Sequence, residues 1–279
     1  MLIEELTEIW EAIQFFVLEM IIVGLAFFLI ERLRPAEKVS FFKPGFREEL
    51  GLAFLNVSLF SPLSVAVMAA FVWYFVQDLI PYQMFAPQLE SLPLTVQLIL
   101  ALIILDFSTY WRHRFTHNYM WPFHSVHHAA KNLTWLTALR LHPIDLFTAT
   151  VFDVLILHLV GFGGIGIFGA AFVLKGYNYF THANIDLKFD KPMRYVFASP
   201  HFHRWHHAGE KHAYNKNFCA MFSGLDYIFG TYYHPERLPK GYGLEPPEQK
   251  EYPEGLMGWL AYPFRQVAKK LKQTKAGQA

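Results

Sequence analysis

Five apolar runs, each close to the length that a helix needs to cross a lipid bilayer, most constrain what this chain can fold into. A helix rises 1.5 Å per residue, so about 20 residues cross a hydrocarbon core of about 30 Å. The runs comprise residues 14–30, 50–76, 92–110, 144–160 and 165–180. Hydrophobic residues make up 53% of the 279 residues, which is too many for an ordinary soluble domain. The sequence therefore predicts an all-α integral membrane protein with about four to five membrane-embedded helices.

The last two runs are short and are joined by the glycine-rich turn at 161–164. They form either a hairpin that spans the bilayer or a re-entrant hairpin that enters and leaves on the same side. Asp153 and His158, which lie in the first of the two, are the ionisable residues expected within the membrane there. Both arrangements stay open at this point.

Lysine and arginine are distributed asymmetrically along the chain. No Lys or Arg precedes Arg32, and residues 48–111 and 141–174 also contain none. If the N-terminus is outside and each run crosses once, every basic residue falls on or beside the cytoplasmic face, as the positive-inside rule demands. We therefore expect a multi-pass protein with its N-terminus outside and its C-terminus in the cytoplasm.

Histidines carry the clearest chemical signal, because they form three tight clusters. The first cluster reads H-x-x-x-H, the second and third both read H-x-x-H-H, and one further histidine stands alone between the last two. Residues three and four apart lie on one face of a helix, so we expect each cluster to direct its imidazoles to one side. Four ligands satisfy a tetrahedral zinc, so nine imidazoles are too many for one ion and predict two. The candidate ligands are His113, His117, His124, His127, His128, His182, His203, His206 and His207.

The residues around these histidines narrow the reaction class. The predicted topology places all nine on the cytoplasmic side, at the ends of membrane helices, where a substrate can arrive from the lipid. Two-metal hydrolases commonly use carboxylates, and no Asp or Glu lies within a cluster. Haem, blue-copper and thiolate signatures are also missing. A histidine-rich pair of irons that activates dioxygen fits this pattern better. A non-catalytic zinc-binding or metal-transport protein is the alternative from another class, although transport requires polar ligands through the depth of the membrane.

These motifs resemble those of the fatty acid hydroxylase and sterol desaturase superfamily of integral-membrane non-haem di-iron oxygenases. The resemblance covers residues 106–232 and includes the three clusters, Thr181-His182, and a stretch at 226–231 that is similar to the family's D-x-x-F-G-T ending. It implies a cytosolic helical cap with a histidine-rich dimetal site that holds two iron ions. It also implies O2-dependent hydroxylation or desaturation of a C–H bond in a sterol, fatty acyl chain or related lipid. A carotenoid hydroxylase is the nearest alternative enzyme, and the D-x-x-F-G-T ending argues against it.

Carried over residue by residue, the resemblance makes the nine histidines metal ligands and implies no catalytic group beyond them. Ligating histidines usually donate their second N–H to a carboxylate or carbonyl, so Asp106 and Asp226 are candidates to orient them, with helix capping as the alternative. Some fatty acid hydroxylases have another histidine where Asn178 stands, which leaves the ligand count open and makes Asn178 a further candidate to support the ligands. His142 precedes a proline and resembles a family turn; it is the fourth candidate support, and for it we favour a structural role. Cys219 is expected to be a buried structural thiol.

We expect one membrane-embedded domain over residues 1–279, with the histidine-rich region at 106–232 and a polar segment at 235–279. The stretch 256–275 has apolar and aromatic residues followed by lysines, and it predicts an amphipathic helix on the cytoplasmic leaflet. These residues contain no G-x-G-x-x-G loop and no fused redox module, so we expect a separate electron donor such as a ferredoxin, a cytochrome b5-like protein or a reductase. Zinc is expected to replace iron as a purification artefact. The net charge of +1 gives no support to nucleic-acid binding.

Overall fold

The computed structural model describes residues 2–40, 42–76 and 85–276, and these form helices and loops without a β-strand. The α-helices are α1 (Leu2–Leu33), α2 (Phe46–Leu55), α3 (Ser61–Phe71), α4 (Ala86–Glu90), α5 (Leu94–Tyr119), α6 (Trp121–His128), α7 (Pro143–Val160), α8 (Gly164–His182), α9 (Pro200–His206), α10 (Gly224–Ile228), α11 (Pro246–Glu251) and α12 (Leu256–Ala276). Two π-helical turns continue α2 and α3, at Asn56–Phe60 and Val72–Val76. Short 3-10 helices lie at Trp135–Leu139, Met193–Tyr195 and Lys211–Ala213.

The apolar runs form the long helices of the structure. Among the described residues, three helices are long and apolar enough to cross a membrane by length and composition: Phe46–Phe75, Leu94–Tyr119 and Pro143–Val160. Only 11–33% of the residues in their most apolar stretches are buried inside the protein, as expected for helices whose other side chains face lipid. The predicted all-helical, membrane-type fold class is confirmed.

The fourth and fifth runs form two separate helices. Gly161 ends α7 in the left-handed conformation, with φ of 99°, a conformation that glycine adopts without steric cost. A Cβ atom at Gly161 would also lie 2.9 Å from the backbone nitrogen of Ala86. The close approach of these two backbone segments is therefore a second reason why this position requires glycine. α8 begins at Gly164, and only α7 of the two is among the three candidate spans.

α5 is the central helix, because it packs against both α7 and α8. Small and branched side chains fill the space between the three helices: Ala101, Leu105, Leu157, Ala170 and Leu174 are all buried there. A Cβ atom at Gly169 of α8 would lie 2.5 Å from the side chain of Leu98 of α5, so α8 approaches α5 closely. This packing brings the C-terminal ends of α5 and α8, which carry candidate ligands, to the same end of the protein.

One buried arginine connects three other elements at that end. The Nε of Arg140 donates to the carbonyl of Val126 in α6 at 2.7 Å, and one of its terminal nitrogens lies 3.2 Å from the Glu49 carboxylate in α2. Its guanidinium also stacks 3.5 Å above the ring of Trp259 in α12. These contacts fix α6 and α12 against the start of the first candidate span.

The predicted amphipathic helix is present as α12. Its first half packs against α2 and α6, and Trp259 and Tyr262 in this half are both buried. Its second half, with Lys269, Lys270 and Leu271, is exposed. Contact with a membrane surface therefore stays a prediction for the second half of α12.

Candidate metal centre

The nine predicted histidines come together as two adjacent groups. In each group, one ring nitrogen of every member lies within 4.8 Å of the corresponding nitrogens of the others. The five-histidine group consists of His113, His117, His124, His128 and His206. The four-histidine group consists of His127, His182, His203 and His207. Eight of the nine residues are buried and His117 is partly buried, so both groups are screened from solvent.

Each H-x-x-H-H motif supplies both groups, and the two motifs do so in opposite senses. In α6, the first and last histidines of the motif belong to the five-histidine group and the middle one to the four-histidine group. In the motif of α9, the assignments are reversed. The expectation that a whole cluster points to one side is therefore wrong for these two motifs. The reason is geometric: consecutive residues of a helix are turned by about 100°, so adjacent histidines such as His127 and His128 belong to different groups.

The four ring nitrogens with clear protein partners establish the tautomers. A carbonyl or carboxylate oxygen only accepts a hydrogen bond, so in each case the histidine Nδ1 donates. The four pairs, all at 2.8 Å, are His113 with the Phe218 carbonyl, His124 with the Asp145 carboxylate, His182 with the Asn178 carbonyl and His206 with the Lys216 carbonyl. In a neutral imidazole the other nitrogen, Nε2, then carries a lone pair and no hydrogen.

These lone pairs face one another across short distances. The Nε2 atoms of His113 and His124 lie 3.0 Å apart, although neither carries a hydrogen for the other. In the four-histidine group the Nε2 of His182 carries no hydrogen and lies 3.1 Å from the Nε2 of His127 and 2.9 Å from that of His203, whose tautomers no protein partner fixes. Facing lone pairs, such as those of His113 and His124, repel unless a cation lies between them. The donor set therefore fits one metal ion in each group.

Several other buried ring nitrogens have no hydrogen-bond partner within the protein. They include the Nε2 atoms of His117, His128 and His206 in the five-histidine group. A buried polar atom without a partner is costly, and metal coordination removes that cost. This observation is independent of the lone-pair distances and points to the same kind of ligand.

Burial also keeps several of these imidazoles neutral. Desolvation lowers the pKa of His182 to about 4 and that of His206 to about 3. Burial first, and then the neighbouring histidines, hold the pKa of His127, His128 and His207 well below its ordinary value. Neutral imidazole is the form that binds a metal.

The segment 216–222 supports the five-histidine group through its backbone. Two of its carbonyls accept from His113 and His206, as described above. Its amides at 218 and 219 donate to the Asp226 carboxylate at 2.8 and 2.9 Å, and those at 220, 221 and 222 donate to Asp106 at 2.6–3.1 Å. Five consecutive amides are thus held by two fully buried carboxylates. Asp106 and Asp226 contact the segment that orients the histidines and not the histidines themselves.

The other two candidate supports are His142 and Asn178. Neither makes a hydrogen bond to either histidine group through its side chain. The Nδ1 of His142 accepts from the backbone N–H of Ile144 at 3.2 Å, and its Nε2 bonds to the Leu260 carbonyl. His142 therefore caps the start of α7. Asn178 contributes its backbone carbonyl to His182, while its side chain lines the cavity described below.

Asp145 is the residue that sequence reasoning missed. It lies in the first turn of α7, is buried, and accepts from His124. The signal in the sequence that could have identified Asp145 as a support is an aspartate at the start of a helix, three residues after His142. The remaining histidines His201, His158, His212 and His234 lie outside both groups, and Cys219 is buried and forms no disulfide, as predicted.

A cavity of about 250 Å³ lies beside both groups. Its walls come largely from α5, α7 and α8, with apolar side chains such as Leu105, Leu146 and Leu174. The histidines that line it are His113, His124, His127, His182 and His203. Pockets that enclose whole drug-sized ligands occupy about 300–1,000 Å³, so this cavity has room for part of such a molecule and not for a complete one.

Comparison with known proteins gives a consistent result. Residues 98–231 match the family model described as fatty acid hydroxylase. The chain is 28% identical over 186 residues to an ornithine lipid hydroxylase of Rhizobium tropici, covering 65% of this chain and 54% of that protein. It is 28% identical over 159 residues to alkylglycerol monooxygenase of Homo sapiens, covering 53% and 33%. It is 26% identical over 179 residues to a very-long-chain aldehyde decarbonylase of Oryza sativa, covering 59% and 27%.

These matches span about half the length of the curated relatives or less. No solved structure matches the chain.

Proposed function

The chain belongs to the fatty acid hydroxylase family, and from that premise we propose that it is a non-haem di-iron oxidoreductase that hydroxylates or desaturates a C–H bond in a lipid. The observation that carries the proposal is the pairing of two adjacent, all-imidazole groups whose ring nitrogens converge. Relatives that are lipid hydroxylases and monooxygenases support the same reaction class.

In this proposal each group holds one iron ion. The five-histidine group offers five ring nitrogens and the four-histidine group offers four, and no carboxylate belongs to either group among the described residues. When bound, the two irons supply the activation of O2, with two electrons from outside the chain. Nitrogen ligands of this kind also accept zinc, so zinc can displace iron during overexpression.

The protein's own residues position the ligands and the substrate. Asp145 and the carbonyls at 178, 216 and 218 hold the proton of four histidines on Nδ1, so that each Nε2 faces its group. The apolar walls of the cavity orient a hydrocarbon segment next to five of the nine histidines and exclude water from it. Proximity of the C–H bond to the metals is therefore set by α5, α7 and α8.

We further propose that the whole chain acts as one membrane domain, with its functional region at 106–232 and the polar segment 235–279 on the cytoplasmic side. The distribution of Lys and Arg supports an external N-terminus and cytoplasmic histidines. The helix ends that carry Asp145, His117 and His182 lie together, as that topology requires. Electrons come from a separate ferredoxin, cytochrome b5-like protein or reductase.

The substrate is a lipid that reaches the cavity from the bilayer. Two relatives are named for ornithine lipids and alkylglycerols, and these are the first two substrate classes to test here. In both, a polar head is attached to a hydrocarbon chain, which matches a cavity that has apolar walls and encloses part of a lipid.

The test combines metal analysis with lipid turnover. Detergent-purified protein from iron-supplemented cells is expected to contain about two irons per chain, and His127→Ala is expected to lose the ion of the four-histidine group. His234→Ala is the control, because His234 is a partly buried histidine that belongs to neither group. With ferredoxin, its reductase and NADPH, the wild type is expected to add oxygen to, or remove hydrogen from, one of the offered lipids.

Two results would contradict the proposal. Protein that binds no stoichiometric metal after anaerobic reconstitution with ferrous iron is not a di-iron enzyme. Protein that binds only zinc and converts no lipid after iron reconstitution is a zinc-binding or metal-handling protein instead.

A further inference from the structure

An ion pair within the membrane helices lines the same cavity. Arg112 lies at the histidine-bearing end of α5, directly before His113, and Asp153 lies within α7; both helices are candidate spans, and both residues border the cavity together with the histidines. An ionisable residue within a span, such as Asp153, is costly and generally marks a substrate or ion pathway. This pair has no part in holding a histidine, so the proposed metal centre leaves it unexplained.

The geometry of the pair is incomplete. The Nε of Arg112 lies 3.7 Å from Oδ1 of Asp153, which is too far for a hydrogen bond. Both atoms are buried, and neither has a hydrogen-bond partner within the protein. A buried structural ion pair normally has short, often paired, hydrogen bonds that offset the loss of hydration. The positively charged Arg112 and the negatively charged Asp153 therefore lie side by side at the cavity, and neither of these two atoms makes a hydrogen bond.

Two neighbouring polar atoms on the cavity wall share this property. The Oγ1 of Thr109, one turn before Arg112 on the same face of α5, is buried without a partner. The Oδ1 of Asn56 is also buried without a partner, while the Nδ2 of the same amide is bound to two carbonyls. The other charged residues of the wall have contacts: Asp145 accepts from His124, and Lys175 lies over the ring of Tyr179. Outside the two histidine groups, Arg112, Asp153, Thr109 and Asn56 therefore each bring a polar atom without a partner to the cavity wall.

We propose that the cavity binds the head of a zwitterionic lipid, with an ammonium group against Asp153 and an oxyanion against Arg112. This inference rests on the proposed function and specifies its substrate class. A neutral hydrocarbon leaves both charges unsatisfied, and a purely anionic or cationic head satisfies one and is repelled by the other. A head that carries both charges close together completes the pair and makes hydrogen bonds to the polar atoms beside it.

The placement also indicates which end of the lipid reacts. Arg112 directly precedes His113, a member of the five-histidine group, and both border one cavity of about 250 Å³. Such a cavity holds the head and only a short part of the chain. Oxidation is therefore expected near the polar end of the lipid and not at its distal tail.

The test measures dissociation constants in a neutral detergent for probes with equal chains. 2-Aminohexadecanoate and hexadecyl phosphoethanolamine are the zwitterions, with carboxylate and phosphate respectively, and hexadecanoate, hexadecylamine and hexadecanol are the comparisons. At least one zwitterion is expected to bind about tenfold or more tightly than hexadecanol, since a charge-assisted hydrogen bond contributes at least that factor. Equal binding of zwitterions and hexadecanol overturns the proposal.

Variants then connect the preference to the pair. Asp153→Asn leaves the arginine charge and is expected to shift the preference to hexadecanoate, and Arg112→Met is expected to shift it to hexadecylamine. Each single variant leaves one buried charge unpaired, so the double variant R112M/D153N, which keeps the net charge, is the one most expected to fold. It should bind all five probes with similar affinity. Glu236→Gln, a change at an exposed site, should keep the wild-type order.

An unchanged order of preference in a folded R112M/D153N protein overturns the proposal, because the pair then joins α5 to α7 without touching the ligand. Binding requires no turnover, so the two hypotheses fail separately. Oxygenation of hexadecanol as readily as of the zwitterions contradicts this inference alone. Zwitterion binding without conversion of any lipid by the iron-loaded protein contradicts the proposed function alone.

Discussion

Asp145 accepts a hydrogen bond from the Nδ1 of His124 at 2.8 Å, and both side chains are almost fully buried. The bond fixes the proton on Nδ1 and turns the Nε2 of His124 toward the Nε2 of His113. It also joins α6 to the first turn of α7. One carboxylate therefore determines both the orientation of a ligand and the position of the helix that forms one wall of the cavity.

Replacing Asp145 with alanine should weaken metal binding about 10–100-fold at the five-histidine group, because His124 loses the partner that orients it. Asp145→Asn should weaken it less, since the amide oxygen still accepts from Nδ1. The measurement is the iron retained per chain against a graded series of chelator concentrations. Asp186→Asn, at an exposed position, is the control and should behave as the wild type. Wild-type iron retention in Asp145→Ala would show that the bond does not support the site.

His142 should affect stability and not metal content. Its Nδ1 caps α7 by accepting from Ile144, and its Nε2 bonds to the Leu260 carbonyl of α12. Loss of a cap of this kind costs about 1 kcal/mol, so His142→Ala should lower the melting temperature in detergent by about 2–4 °C while iron per chain stays the same. His142→Asn retains an acceptor for the cap and should recover part of the loss. A fall in iron content with an unchanged melting temperature would assign His142 to the metal centre instead.

The sequence predicted the helical class and the set of nine histidines that the structure brings together, because helical spacing and apolar length are local properties. It did not predict how the histidines divide between the two groups. That division depends on the rotation of α6 and α9 against α5 and α8, which is decided by packing. Nor did it identify the supports of the ligands. Asp145 meets His124 only after the chain reverses at 129–142, and the carbonyls of Lys216 and Phe218 carry no signal in their side chains.

Cys219 should be unreactive in the folded protein. The thiol is fully buried, and burial, together with the nearby negative charges of Asp226 and Asp106, raises its pKa well above the ordinary value. A raised pKa keeps the thiol protonated at neutral pH, and the protonated form is a poor nucleophile. A maleimide reagent at pH 7.5 should therefore modify less than a few per cent of the native protein within the time that it fully modifies protein unfolded in dodecyl sulfate. Rapid labelling of the native protein would show that the segment 216–222 opens.

Asp226 should control one metal and not the other. Its carboxylate holds the amides of Phe218 and Cys219 and the hydroxyl of Thr231, and the Phe218 carbonyl in turn orients His113. In Asp226→Asn one accepting oxygen becomes an NH2 group that faces a backbone N–H, so the segment shifts. The four-histidine group takes no hydrogen bond from this segment; its Nδ1 support comes from the carbonyl of Asn178. Iron content is therefore expected to fall from about two to about one per chain.

A change at Lys216 separates the backbone effect from a general disturbance of the segment. The carbonyl of Lys216 orients His206, whereas its side chain is partly exposed and reaches only the Gly230 carbonyl at 3.5 Å. Lys216→Ala removes that side chain and leaves the carbonyl, so both irons should be retained. The stoichiometry of each variant is measured by mass spectrometry of metals, alongside a melting curve that confirms folding. Loss of both irons from a folded Asp226→Asn protein would mean that the two groups depend on each other, and retention of both would mean that the Phe218 carbonyl does not position His113.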